Sequence, residues 1–151
     1  MMDMGQPEQS TPLDIETLDD VIIRNSLAYY PDTQAIYRFG SHGTDEEWGD
    51  SDIDIALLLP HHEAKRAGHL VLSDLHLRLS AVLEREVDLL NARLVSTVFQ
   101  KAIIFGVLIY CADRDAVDEF EMLTLSYYQK LNEERAEILE AFLMSGRAYA
   151  V

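Results

Sequence analysis

Gly40-Ser41, a ten-residue gap, and then Asp52-Ile53-Asp54-Ile55-Ala56-Leu57-Leu58-Leu59 is the stretch that decides the fold. The apolar run after the aspartates has the composition of a buried strand, and Pro60 closes it. Side chains alternate along a strand, so Asp52 and Asp54 share one face while Ile53, Ile55, Leu57 and Leu59 take the other. Two residues of strand separate the carboxylates by about 6.6 Å, close enough for them to lean together. Carboxylates placed this way suit a pair of divalent ions about 3.5–4 Å apart. Gly40 gives the backbone freedom for a close approach, and Ser41 offers a hydroxyl and an N–H to phosphate oxygens. Gly-Ser and Asp-x-Asp are each common, but both ahead of a core strand should coincide by chance in only about one chain in a hundred. The plainer alternative is an acidic surface turn before a core strand.

A two-metal site usually takes a third carboxylate from a neighbouring strand. Glu86-Val87-Asp88-Leu89-Leu90-Asn91 offers Asp88, a charge inside an otherwise apolar run. Such a charge is costly unless it is paired or binds a cation. Glu86 points the same way and is the second choice.

Helical and strand patterns alternate around these motifs. Apolar spacing predicts helices over residues 13–30, 63–83, 96–105 and 113 to about 145, the last broken once. Strands are expected over residues 35–39, 52–59, 86–91 and 107–111. The chain therefore reads as an α/β (α+β) domain with about four strands. Three segments follow: a flexible N-terminus over 1–12, a core over 13–112, and a helical segment over 113–151. The last carries Phe120, Leu123, Tyr127, Leu131, Ile138, Phe142 and Leu143 in two phases, which fits either one face for the core and one for a partner or packing entirely within the chain.

The whole chain narrows the function further. Its 151 residues suit one domain, and 48% apolar content is enough for a core. The single Cys111 excludes an intramolecular disulfide, fits a reducing compartment and reads as buried. Residues 1–14 are neither basic nor apolar enough for a secretory signal, and the longest apolar run, 102–112, is half a membrane span. A cytoplasmic protein with no membrane contact is expected. Twenty-seven acids against twelve bases give a net charge of −15. That surface repels nucleic acid, and suits a small substrate carried in with Mg²⁺ or a basic protein partner. Asp45, Glu46, Glu47 and Asp50 read as a solvated loop, as do His61 and His62, while His69 and His76 read as surface or boundary residues. Trp48 is a candidate for stacking on a base or for packing.

Gly40-Ser41, the gap, Asp52-Ile53-Asp54 and Asp88 resemble the DNA polymerase β-type nucleotidyltransferase fold. The small size resembles the minimal nucleotidyltransferases. The gap length and the tail Gly146-Arg147-Ala148-Tyr149 resemble the MntA-type antitoxins that pair with HEPN toxins. The resemblance covers about residues 35–147 and implies a small mixed sheet flanked by helices. It also implies an enzyme that transfers AMP from ATP to a tyrosine hydroxyl of a cognate HEPN ribonuclease toxin, which is thereby neutralised. Asp52, Asp54 and Asp88 would hold two Mg²⁺ ions, Asp88 would help to deprotonate the acceptor, and Gly40 and Ser41 would bind the nucleotide. The implied partner is a basic or helical protein. One departure stands out: His42-Gly43-Thr44 follows Gly-Ser where many relatives carry an Arg, leaving Arg38, Lys65 or Arg66 to meet the triphosphate. Two other readings stay open. One is a transferase for a small hydroxylated molecule such as an aminoglycoside; the other is a non-catalytic antitoxin that acts by binding.

Overall fold

The computed structural model describes residues 16–40 and 52–149. The expected N-terminal lead-in, Ser41 and the acidic segment through Ser51, with Trp48, lie outside the described residues. In chain order the elements are α1 (Leu18–Tyr29), β1 (Ala35–Phe39), β2 (Ile53–Leu58), α2 (His61–Ala67), α3 (Asp74–Leu83), β3 (Val87–Asn91), α4 (Thr97–Ile104), β4 (Val107–Cys111) and α5 (Arg114–Tyr149).

The four strands form one mixed sheet in the order β3-β2-β1-β4. β1 runs antiparallel to both β2 and β4, and β2 runs parallel to β3. A parallel pair needs a crossover, which α2 and α3 supply. Strand alternation divides the core into two layers. Ile53, Ile55 and Leu57 join Val87 and Leu89 against Ile22 of α1 and Leu75 and Leu79 of α3. Ala56 and Leu58 join Tyr37 and Phe39 against Ile103 of α4 and Val117 and Phe120 of α5. β2 is thus buried on both faces except at its first turn of sequence, where the aspartates stand.

Helix boundaries follow their caps. Thr17 and Asp20 form a reciprocal capping box that starts α1, later than the apolar pattern alone suggests. The single helix expected over residues 63–83 is two. Gly68 (φ +69) and Leu72 (φ +66) take left-handed backbone between them, and Ser73 caps α3. Buried Asn91 donates to the carbonyls of Ala64 (3.1 Å) and Gly68 (2.9 Å), which satisfies the end of α2. His76 is more than a boundary residue. Its Nδ1 accepts from the Leu72 N–H (2.7 Å), which leaves Nε2–H to donate to the Val87 carbonyl (2.7 Å) and tie α3 to β3. His61 and His62 are exposed, as expected, but they open α2 rather than lying in a loop.

The C-terminal helix is unbroken over 36 residues, contrary to the expected interruption. No proline or glycine interrupts it before Gly146, and helical spacing runs through. Val117, Phe120 and Thr124 bury one face on the sheet, whereas every described side chain beyond Leu131 is exposed. Cys111 is exposed at the end of the edge strand, not buried as its residue type suggests. Tyr37 pins α5 in place. Its hydroxyl donates to Glu121 Oε2 at 2.8 Å, and its ring meets Phe120 at 6.4 Å. Tyr37→Phe, which removes that bond to a charged acceptor, is expected to cost about 1.5–3 kcal/mol of stability in urea unfolding.

Candidate active site

Three strands converge on one row of side chains. Phe39 of β1 is paired with Asp54 of β2, and Asp54 is paired in turn with Asp88 of β3. Cross-strand partners share a face, here the α4/α5 face, at the end of the sheet where β2 and β3 begin. Asp54 is half-buried, while Asp52 and Asp88 are exposed. Asp52 immediately precedes β2, since the strand begins at Ile53 rather than at Asp52. The Ile53 N–H donates to the Glu86 carbonyl at 3.0 Å, which locks the two strand starts together.

The Asp54 and Asp88 carboxyls lie close enough to share a proton. Two carboxyls can hydrogen-bond to each other only while one of them is protonated. Burial, followed by that bond and the charges of Asp88 and Asp52, pushes Asp54 up to about 6 from an ordinary 3.8. A position that holds a proton between two acids is one that a divalent cation can take over. The donor chemistry suits Mg²⁺, which binds through one or two carboxylates plus substrate phosphates rather than a full protein cage. Among the described residues no group of three or more Asp, Glu, His or Cys side chains is gathered as a complete metal site. Asp54 and Asp88 are in contact, with Asp52 beside them acting through its charge.

Gly40 is part of this arrangement for a steric reason. It has φ +92, and a Cβ there would lie 2.0 Å from Asp54 Oδ2. The carboxyl lies directly over the glycine backbone. Gly106 is a second such position and one that the sequence pattern did not single out. A Cβ on it would meet the Arg38 carbonyl and Phe39 Cβ, both at 2.6 Å. A glycine interrupting the apolar run 102–112 was the available signal. Ser41, the remaining sequence-predicted ligand, lies outside the described residues.

The cations considered for the triphosphate are placed elsewhere. Arg38 alternates with Phe39 and so faces the other side of the sheet, where it grips Asp19 through Nε (2.9 Å) and a second nitrogen (3.2 Å). Lys65 and Arg66 lie on α2, beyond the opposite end of β2, and Arg66 pairs with Glu63.

The profile of the polymerase β nucleotidyltransferase family matches residues 22–115. The chain belongs to this family and is a nucleotidyltransferase. It is 34% identical over 122 residues to the protein adenylyltransferase MntA of Shewanella oneidensis, covering 80% of this chain and 84% of that protein. A crystal structure of a toxin–antitoxin with AMP-PNP matches with a TM-score of 0.66 at 29% identity, covering 83% of this chain and 98% of that one. A complex of the tri-AMPylated Shewanella oneidensis HEPN toxin with its MNT antitoxin matches with a TM-score of 0.64 at 28% identity, over 83% and 96% of the two chains. Among the described residues no helix is long and apolar enough to cross a membrane.

Two outcomes follow from the geometry. Because the folded state holds the Asp54 proton more tightly than the unfolded chain, ionising Asp54 destabilises the fold. The penalty grows from about pH 4 to pH 6 and is complete above that. In EDTA, Asp54→Asn should raise Tm by a few degrees at pH 7.5, with the gain vanishing toward pH 4; equal gains at both values would refute the shared proton. Gly40→Ala should displace Asp54 and lower nucleotidyl transfer by about 10²-fold, the scale of an ångström-sized misplacement, measured with saturating nucleotide.

Proposed function

We propose that the chain is an antitoxin that transfers AMP from ATP to a tyrosine hydroxyl of a cognate HEPN-family toxin. The observation that carries this reading is the Asp54–Asp88 carboxyl pair set over Gly40 at the end of a nucleotidyltransferase sheet. Support comes from the similarity to a protein adenylyltransferase and to toxin–antitoxin complexes, one with AMP-PNP and one whose toxin is tri-AMPylated.

Asp52, Asp54 and Asp88 are the proposed holders of two Mg²⁺ ions, which would neutralise triphosphate charge and orient the α-phosphorus for in-line attack. Asp54 gives up its shared proton to do so. Asp88, the exposed member of the pair, lies open to the acceptor and takes the proton of its hydroxyl. Gly40 lets the phosphates approach the backbone, and Ser41 is the proposed phosphate donor beside it. Most of the rate then comes from placement and from fixed charge.

The test is transfer of label from α-labelled ATP, with Mg²⁺, to the protein encoded by the adjoining reading frame. Asp52→Asn, Asp54→Asn and Asp88→Asn should each lower labelling by about 10²–10³-fold. Labelling that survives Asp54→Asn would remove the carboxylate assignment. Neutralisation of the partner by an unlabelling variant would favour the non-catalytic reading.

A further inference from the structure

Of the 151 residues 27 are acids, yet residues 89–112 contain none. That run spans α4 and β4 and leaves Val98, Phe99, Phe105 and Val107 exposed by 47%, 54%, 68% and 50%. Lys101 Nζ sits among them, 5.0 Å from the centre of the Phe105 ring and 4.5 Å from that of Tyr128 on α5. Val98, Lys101, Phe105 and Tyr128 help to line a hollow of about 260 Å³. β4 is an edge strand, Val-Leu-Ile-Tyr-Cys, with no lysine, proline or acid to guard it. Exposed apolar side chains also stand on α3 and along α5, Leu77 and Phe142 among them, but there they are interspersed with acids, whereas the α4–β4 run is free of them.

Position selects the occupant. Val107 pairs with Arg38, and the next residue, Phe39, pairs with Asp54. Two strand spacings put the Val107 backbone about 10 Å from that of Asp54. On the opposite flank of the carboxylates Glu84 and Glu86 are exposed. Among the described residues around the carboxylates, an apolar anchor is therefore offered on the α4–β4 side.

We propose that the α4–β4 patch centred on Phe105 and Lys101 is the docking surface for the acceptor protein, through an apolar face with a basic rim. This rests on the proposed transfer to a protein and adds where that protein sits. An exposed aromatic anchor in an apolar centre is the composition of a binding hot spot. The net charge of −15 around it favours a basic rim on the partner.

The experiment measures binding of the full chain to the protein encoded by the adjoining reading frame, by calorimetry without ATP. Phe105→Asp and Val98→Asp should each weaken binding at least tenfold, with circular dichroism showing that the fold is kept. Leu77→Asp, on α3 and similarly exposed at 54%, should change it less than twofold. Wild-type affinity in both patch variants would overturn the inference. So would a loss of Mg–AMP-PNP binding in step with partner binding, which assigns the patch to the nucleotide. A homodimer of this chain broken by Phe105→Asp would assign it to a second copy, again overturning the inference. Wild-type labelling whose KM for the partner is unmoved by Phe105→Asp sinks the docking surface alone; no labelling by wild type sinks the proposed transfer as well.

Discussion

Two carboxyl groups in contact across adjacent parallel strands cannot both be ionised without something positive between them. In this chain that constraint falls on Asp54 and Asp88, and it makes Asp54 hold its proton up to about pH 6. The sheet cannot relax the pair apart, because the Ile53–Glu86 bond fixes the strand starts and the Ile53, Ile55, Val87 and Leu89 side chains are locked beneath them. Burial of half of Asp54 then makes water a poor substitute for a cation. A site held under this electrostatic load is destabilising once ionised, and under the proposed reading a divalent ion would relieve that load.

The surroundings keep that load in place. The missing Cβ at Gly40 makes the room that the Asp54 carboxyl occupies, and its positive φ disfavours any other residue there. Gly106 lets β4 and the end of α4 close onto Phe39, so the third strand in the row is held from outside. Arg38, next to Phe39 of the row, is turned to the far face by strand alternation and engaged by Asp19.

The sheet and the aspartate pair were legible in the sequence because both depend on period-two alternation, which is local. Strands 35–39 and 107–111 matched to the residue for the same reason. The split of the expected helix over 63–83 was not legible from periodicity, since Leu70, Leu75 and Leu79 are all buried and keep the apolar pattern running across the break. The signal lay in Gly68 and in Ser73 as a cap. The C-terminal helix failed in the opposite sense: its apolar stripe drifts out of phase without a breaker, so a change of packing partner imitated a change of element. Gly106 acquires its role from Arg38 and Phe39, more than sixty positions away, and His76 from the start of the next strand, contacts that no apolar period encodes.

Charge distribution carried more than net charge did. A value of −15 separates this chain from nucleic-acid enzymes, but it describes the surface only on average. The acids are absent from residues 89–112, and their absence begins one residue after Asp88. The two sides of the carboxylate row therefore differ in kind: the turn before β3 presents Glu84 and Glu86, while α4 and β4 present exposed carbon. A substrate with a compact polyanionic part and a large apolar part would experience that difference as an orientation. The asymmetry is built from strand order, since β3 and β4 are the two edges of the sheet and the row runs from β3 through β2 to β1, beside β4.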